Sequence, residues 1–215
     1  MAPRPYRMGQ RQVAADETRV RIVEAARALL TAPEGFAGFT VDSVARQAGV
    51  ARMTVYYQFG SKTGLIEAVF DSLAIVRVGV KRLVAALALP DPLDTLAEFV
   101  ATFGAVWEED RAVIRRLHGL AALDPEFGRV WHIREARRRE GLRTIVSRLS
   151  GRRRGKPAAG EAETLVDVLY AIIAFETYDT IAGPKRTLEQ VAPVVHELAL
   201  KALGVERERG GKRDE

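Results

Sequence analysis

Few residues of this chain have the types and spacing that catalysis or metal binding requires. The three histidines, His118, His132 and His196, fall on separate predicted helices and lack metal-ligand spacing. The chain contains no cysteine, which excludes disulfides, thiolate nucleophiles and cysteine-ligated zinc. The sequence also lacks a glycine-rich phosphate loop, a nucleophile elbow and an HExxH pair. We therefore expect no enzyme activity, no metal and no cofactor.

The segment from Thr40 to Leu65 carries more information than any other part of the sequence. It predicts two short helices joined by a tight turn at Ala48-Gly49, where glycine tolerates a positive φ. Thr40 is a candidate N-cap for the first of these helices. Helices this short need a supporting core from their neighbours. Two short helices around such a turn indicate a helix-turn-helix, whose second helix enters the major groove of DNA.

The same segment resembles the N-terminal domain of the tetracycline-repressor (TetR) family. The resemblance covers Thr18 to Leu65 and rests on the following residues: Thr40, Val41, Val44, Ala45, Ala48-Gly49-Val50, Tyr56, Tyr57, Phe59, Ser61-Lys62 and Leu65. Two positions depart from the family pattern. Gly64 stands where Glu or another helix former is usual, so we expect a looser first turn in the following helix but no effect on the contacts that the resemblance implies. Ala51 stands where serine is common, so a capping or phosphate bond is lost.

The resemblance implies a set of DNA-contacting residues, namely Thr40, Arg52, Met53, Thr54, Tyr56, Tyr57 and Lys62. Arg52 would be the main base reader, since a guanidinium pairs bidentately with guanine. Thr40 and Lys62 would hold phosphates. The tyrosines would hold phosphates or contact thymine methyls, with ordinary packing as the alternative. Met53 either shields the groove or packs inward, and Phe59 is expected in the core.

Apolar residues recur with helical spacing almost throughout the chain, and no run alternates as a strand would. We therefore predict an all-α protein with nine helices, at about 17–31, 41–48, 52–58, 62–88, 92–108, 111–121, 125–149, 161–182 and 187–203. Asp91-Pro92, Asp124-Pro125 and Thr187 with Gln190 are predicted N-terminal caps. The predicted domains are a flexible basic arm (1–15), the helix-turn-helix domain (16–62), a helical effector-binding and dimerisation domain (63–205) and a disordered tail (206–215).

The net charge of +5 is modest, but its distribution supports a polyanionic partner. Residues 1–14 carry Arg4, Arg7 and Arg11 and no acid, so this arm could reach a minor groove. The arginine triplets at 137–139 and 152–154 are interpreted as solvated surface. No segment has the apolar length of a signal peptide or a membrane span, so we expect a cytoplasmic protein without membrane contact.

The second domain is assigned its role by the resemblance. Its last two helices are expected to form a four-helix bundle with a second copy, making a homodimer; the interface or core residues are Leu169, Ile172, Ile173, Val191, Val195 and Leu198. A small apolar or amphipathic effector is expected between the middle helices, near Phe99, Phe103, Trp107, Arg116, His118, Leu120, Phe127, Trp131, Tyr170, Glu176 and Tyr178. For the aromatic residues, packed core is the alternative.

The sequence thus predicts a repressor that binds a palindromic operator as a dimer and is released when an effector shifts helix 62–88. Two alternatives remain at this level. One is a DNA-binding regulator without a small-molecule ligand, controlled by a protein partner or by its own abundance. The other is an architectural DNA binder with little sequence preference. Nothing in these residues distinguishes activation from repression.

Overall fold

The computed structural model describes residues 6–32, 38–150 and 160–205. These residues contain α-helices and one short π-helix but no strand, which confirms the predicted all-α class. The α-helices are α1 (Tyr6–Thr31), α2 (Val41–Ala48), α3 (Arg52–Phe59), α4 (Lys62–Asp71), α5 (Val80–Leu87), α6 (Pro92–Glu109), α7 (Arg111–Leu123), α8 (Pro125–Ser150), α9 (Glu161–Ile172), α10 (Phe175–Ala182) and α11 (Leu188–Ala202). In the part of the chain described, no helix combines the length and apolar character of a membrane span.

The chain divides into two compact units. The first comprises Met1–Arg77 and Asp110–His132, and the second comprises Val78–Glu109 and Ile133–Glu215. The helix-turn-helix therefore shares its unit with α4 and α7, and the domain boundary expected after residue 62 falls inside this unit. Helix α8 begins in the first unit and continues in the second.

The first unit is organised around α1, which packs against α2, α4 and α7. Its buried apolar side chains include Ile22, Ala26, Leu30, Phe39, Val44, Val55, Leu65, Val69, Leu117 and Phe127. Helix α1 begins at Tyr6 rather than at residue 17, so the arm expected to be flexible is helical from Tyr6 onward. Arg4 and the side chains of Arg7 and Arg11 lie outside the described residues, as do the triplet at 152–154 and the tail at 206–215.

The predicted helix caps are confirmed where the structure describes them. Thr40 caps α2, because its hydroxyl accepts from the Ser43 amide at 3.1 Å and the Ser43 hydroxyl accepts from the Thr40 amide. Gly49 ends α2 at φ +66°, in the left-handed region that the tight turn requires. The Asp124 carboxylate accepts from the amides at the start of α8, and Thr187 forms its capping box with Gln190.

The single helix predicted over 62–88 was wrong, since the structure breaks it into α4, a π-helix at Ile75–Gly79 and α5. The break occurs where the Ala74 amide donates to the Asp110 carboxylate at 2.6 Å. In a continuous helix this amide would donate to the Phe70 carbonyl, which instead accepts from Leu73. A side chain from the N-terminal end of α7 has therefore entered the backbone ladder, a recognised cause of helix interruption.

Asp110 is fully buried at its side chain and is neutralised by Arg27 of α1. The same guanidinium donates to the Ser72 hydroxyl at 3.0 Å, so three segments of the first unit meet around one carboxylate. A buried charge is tolerated only when it is paired and hydrogen-bonded, and removing one partner leaves the other costly. This network therefore fixes both the position of α7 and the point at which α4 ends.

The second unit packs α6 against α5 and α11, and α11 against α9 and α10. It contains another buried charge, Arg138 of α8, which the sequence had placed on a solvated face; this interpretation was wrong. Arg138 pairs with Glu135 and donates to the Ile173 carbonyl at 2.8 Å. In a continuous helix the Thr177 amide would donate to the Ile173 carbonyl. Because that carbonyl accepts from Arg138, the Thr177 amide donates to the Ala174 carbonyl instead. The helix predicted over 161–182 is accordingly divided into α9 and α10.

Gly64 makes a closer approach than the sequence suggested. A Cβ at this position would lie 2.2 Å from the carbonyl oxygen of Phe59, the last residue of α3. The backbone carbonyl cannot move aside without disturbing the end of α3. Gly64 therefore permits α4 to begin directly against α3, a close approach that the sequence did not indicate.

We predict that Gly64→Ala lowers the free energy of unfolding by about 1–3 kcal/mol, because the added methyl overpacks against backbone. Gly119→Ala is the matched control, since Gly119 lies inside α7 and a Cβ there meets nothing within 4 Å. That control should instead stabilise by about 0.5–1 kcal/mol. Urea unfolding followed by circular dichroism measures both. Equal stabilisation by the two substitutions would contradict the close approach.

We also predict that Asp110→Asn destabilises the protein by about 2–3 kcal/mol, because Arg27 loses its charge partner and the Ala74 amide its charged acceptor. Asp94→Asn removes the same charge from an exposed position in the first turn of α6 and should cost less than about 1 kcal/mol. The same unfolding experiment compares the two variants. If Asp110→Asn unfolded at the wild-type urea concentration, the buried pair would not organise this unit.

Candidate nucleic-acid interface

Helix α3 presents the side chains that the sequence predicted to face DNA. Arg52, Met53 and Tyr57 are exposed, with Met53 at 72% and Tyr57 at 91% of full exposure. Thr54 and Tyr56 are half-buried, and Val55 alone in this helix is buried in the unit's core. Met53 does not pack inward, and Tyr57 does not pack against its own chain. Both side chains are therefore accessible to a partner that approaches this face of α3.

Arg52 is held by two neighbours at the start of α3. Its Nη1 donates to the Asp42 carboxylate of α2 at 3.1 Å, and its Nη2 donates to the Tyr56 hydroxyl at 3.2 Å. The guanidinium carbon also lies 5.5 Å from the centroid of the Tyr56 ring. The hydrogen bond to Tyr56, and then the negative charge of Asp42, raise the pKa of Arg52. The side chain predicted to read bases is therefore oriented before any DNA is present.

The residues predicted to hold phosphates lie at two helix N-termini. Thr40 is exposed, but its hydroxyl already caps α2. Lys62 is exposed at the start of α4, with its ammonium 5.5 Å from the centroid of the Phe39 ring. The hydroxyl of Ser61 accepts from the Gly64 amide at 3.0 Å and caps this helix. Positive helix ends and a lysine suit the phosphates that flank a major groove.

Phe59 and Asp42 are the two places where the site differs from expectation. Phe59 is only half-buried, not in the core as expected, and the Arg19 guanidinium lies over its ring at 4.4 Å. Asp42 was missed, since a carboxylate on a surface meant for DNA runs against the simple charge rule. The spacing of Asp42 and Arg52 on opposite sides of the turn is the signal that could have indicated their contact.

Comparison with known proteins agrees with this geometry. Residues 22–69 match the family model for "Bacterial regulatory proteins, tetR family". Residues 22–69 are therefore similar to the N-terminal domain of the TetR family. Over 58 residues it is 43% identical to the HTH-type transcriptional regulator SrpR of Pseudomonas putida and, equally, to the uncharacterized HTH-type regulator TtgW of the same species. That match covers 27% of this chain, 27% of SrpR and 42% of TtgW.

Solved structures of TetR-like regulators share the fold over most of this chain. The fatty acid degradation regulator FadR from Bacillus halodurans is 18% identical, with a TM-score of 0.65, 92% of this chain covered and 97% of that one. The TetR-family regulator PfmR from Thermus thermophilus is 28% identical, with a TM-score of 0.57 and coverages of 87% and 100%. The helices beyond the TetR N-terminal domain therefore follow the arrangement of these proteins.

The residues predicted to line an effector site fall into both units of the chain. In the first unit, Trp131 lies edge-on to His118 at 4.3 Å and tilted against Phe127 at 6.1 Å between ring centroids. Leu120 is buried nearby in α7, whereas Arg116 is exposed. Three of these residues thus form one aromatic cluster, and the exposed guanidinium is not part of it.

In the second unit the predicted aromatic stripe is a continuous buried cluster. Phe99, Phe103 and Trp107 stack successively along α6, and Trp107 lies edge-on to Tyr178 of α10 at 5.4 Å. The Tyr178 hydroxyl donates to the Val100 carbonyl at 2.9 Å, and burial raises its pKa well above the usual range. Glu176 is exposed and lies outside this cluster.

Arg138 is a polar member of this cluster that was not among the predicted site residues. Its guanidinium lies 4.3 Å from the centroid of the Tyr170 ring and 5.6 Å from that of Trp107. The Tyr170 hydroxyl donates to Glu135 at 2.9 Å, which is the carboxylate that also neutralises Arg138. Burial, and then the charge of Glu135, raise the pKa of Tyr170. Leu142 and Ile145 follow Arg138 at four and seven residues and are buried, so helical spacing was the available signal.

The residues predicted for a dimer interface or core divide by burial. Leu169, Ile173, Val191 and Val195 are fully buried within this chain, Ile172 is half-buried and Leu198 is exposed. Two further apolar side chains, Val168 of α9 and Val194 of α11, are exposed beside them in sequence. The exposed members, rather than the buried ones, are available to a second copy.

Proposed function

We propose that this protein is a sequence-specific DNA-binding transcriptional regulator that acts as a homodimer. The observation that carries the proposal is the TetR-family helix-turn-helix with Arg52 already oriented on the exposed face of α3. A bidentate guanidinium supplies base recognition, while Lys62 and the N-terminus of α4 supply phosphate contacts that set the register. Tyr57 and Met53 supply the apolar surface that the groove covers.

Exposed apolar side chains on α9 and α11 support the proposed homodimer. These helices pack against each other and expose Val168, Val194 and Leu198 to solvent. Burial of such a patch against its own symmetry mate makes an isologous two-fold interface. A two-fold pair of α3 helices then requires an operator made of two inverted half-sites.

We further propose that the protein represses transcription and is released by a small apolar or amphipathic effector bound in the second unit. The buried cluster around Trp107 and Tyr178 supplies the apolar surface, and Arg138 with Glu135 the few polar groups that orient a ligand. Along the chain, the first segment of the first unit ends at Arg77 and the second unit begins at Val78, both inside the π-helix that follows α4. The effector must favour the DNA-free conformation over the DNA-bound one, or it changes nothing.

The alternatives are a regulator without a small-molecule ligand and an architectural binder with little sequence preference. The first predicts selective DNA binding that no apolar or amphipathic ligand releases. The second predicts equal affinity for all duplexes and a steep dependence on salt. Arg52 favours a selective protein over an architectural one, because bidentate guanine contacts distinguish bases.

The test is fluorescence-anisotropy binding of the full chain to duplex DNA from beside its own gene, with a shuffled duplex of the same composition. Arg52→Ala should weaken binding to the selected duplex by about 1–3 kcal/mol and leave binding to the shuffled one nearly unchanged. Lys62→Ala should weaken both duplexes alike and reduce the salt slope by about one. Identical effects of the two variants on selectivity would refute the division between base reading and positioning.

The dimer is tested by Leu198→Glu, which places a charge in the proposed interface. We predict that light scattering after size-exclusion chromatography shows a dimer for the wild type and a monomer for this variant, because an unpaired carboxylate is costly to bury. Leu123→Glu is the matched control, since Leu123 is an exposed leucine at the end of α7 in the other unit. A wild-type monomer, or a Leu198→Glu dimer, would rule out this interface.

A further inference from the structure

The geometry points to Asp42 as a residue that determines DNA selectivity by positioning Arg52, an inference that rests on the proposed DNA-binding function. Asp42 lies in the first turn of α2, across the turn from Arg52 at the first position of α3. Their side-chain atoms are 3.1 Å apart, and both side chains remain more than half exposed at 60% and 56%. The pair is therefore on the surface that DNA would approach, and it is not a structural bridge of the core.

If DNA is the partner, the negative charge of Asp42 lowers the affinity of the protein for DNA. A carboxylate near a phosphate backbone repels it and lowers general affinity for every duplex. The residue's other benefit, stabilising α2 through the helix dipole, is small at an exposed site. A negative charge here is best explained by what it does to the guanidinium beside it.

Asp42 and Tyr56 together restrict a side chain that is otherwise flexible. One Nη of Arg52 is bound by the carboxylate and the other by the phenol hydroxyl, with the Tyr56 ring also near the guanidinium carbon. Ordering a long side chain before binding reduces the entropy lost on contact with the correct base. The preferred direction also disfavours a turn of Arg52 towards the nearest phosphate, which is how an unrestrained arginine would bind any sequence.

Two consequences distinguish this role from that of a surface charge. Asp42→Asn should tighten binding to a shuffled duplex, because repulsion is removed and Arg52 is freed for phosphates. Binding to the selected duplex should gain less or weaken, because the base reader is no longer held. The ratio of the two affinities should therefore fall, by roughly two- to fivefold for an exposed pair of this kind.

The experiment measures both affinities by anisotropy at one salt concentration for the full-length wild type, Asp42→Asn, Arg52→Ala and the double variant Asp42→Asn/Arg52→Ala. Asp94→Asn, which removes an exposed charge from the second unit, controls for net charge. In the Arg52→Ala background, Asp42→Asn should shift both affinities equally, because there is no guanidinium left to position. Tyr56→Phe, which removes only the hydroxyl, should lower the ratio in the same direction.

The outcomes separate this inference from the proposed function. If the wild type binds both duplexes equally, the proposed function fails and the role of Asp42 fails with it. If the wild type is selective and Arg52→Ala loses that selectivity, but Asp42→Asn keeps the wild-type ratio, only the positioning role is overturned. A lower ratio in Asp42→Asn that disappears in the Arg52→Ala background supports it.

Discussion

Burying a charge is the constraint on which much of this structure depends. Among the described residues, Asp110 and Arg138 are the charged side chains that the fold buries, and each is both paired and hydrogen-bonded to backbone. Each also coincides with a helix interruption. A backbone group that hydrogen-bonds to the buried charge can no longer make its hydrogen bond within the helix. Asp110 accepts from the Ala74 amide and ends α4 in the first unit, while Arg138 donates to the Ile173 carbonyl and separates α9 from α10.

The proposed DNA-binding surface also uses paired charges, but these charges are exposed to water. Arg52, Asp42 and Tyr56 form an exposed network in which water screens every interaction, so its contribution to stability is small. Its value lies in the direction it gives to one guanidinium. A buried network thus sets where helices end, whereas an exposed network sets where a side chain points, and the proposed function needs both.

Local signals in the sequence were sufficient to predict the helix-turn-helix and the helix caps. Thr40, Gly49 and Asp124 act on backbone groups within a few residues of themselves, so their types and spacing predict their roles. The interruptions at Ala74 and Ile173 could not be predicted in this way. Their causes, Asp110 and Arg138, are 36 and 35 residues distant along the chain and reach these positions only after the helices have packed.

Helical spacing identified some of the buried candidate residues and could have identified another. Helical spacing identified Phe99, Phe103 and Trp107 as one stripe, and they form one buried cluster. Arg138 was assigned to solvent because it stands in an arginine triplet, although its spacing to Leu142 and Ile145 placed it on the buried side of α8. Composition outweighed periodicity in that interpretation, and for a long helix periodicity is the better guide.

Selection of bound duplexes from a random-sequence library, followed by sequencing, tests the central claim most directly. We expect enrichment of an inverted repeat whose half-sites each contain a guanine contacted by Arg52, and loss of that guanine preference when Arg52→Ala is selected in the same way. Retention of duplexes without any enriched motif would show a binder that does not read sequence. Failure to retain DNA at all would contradict the account entirely.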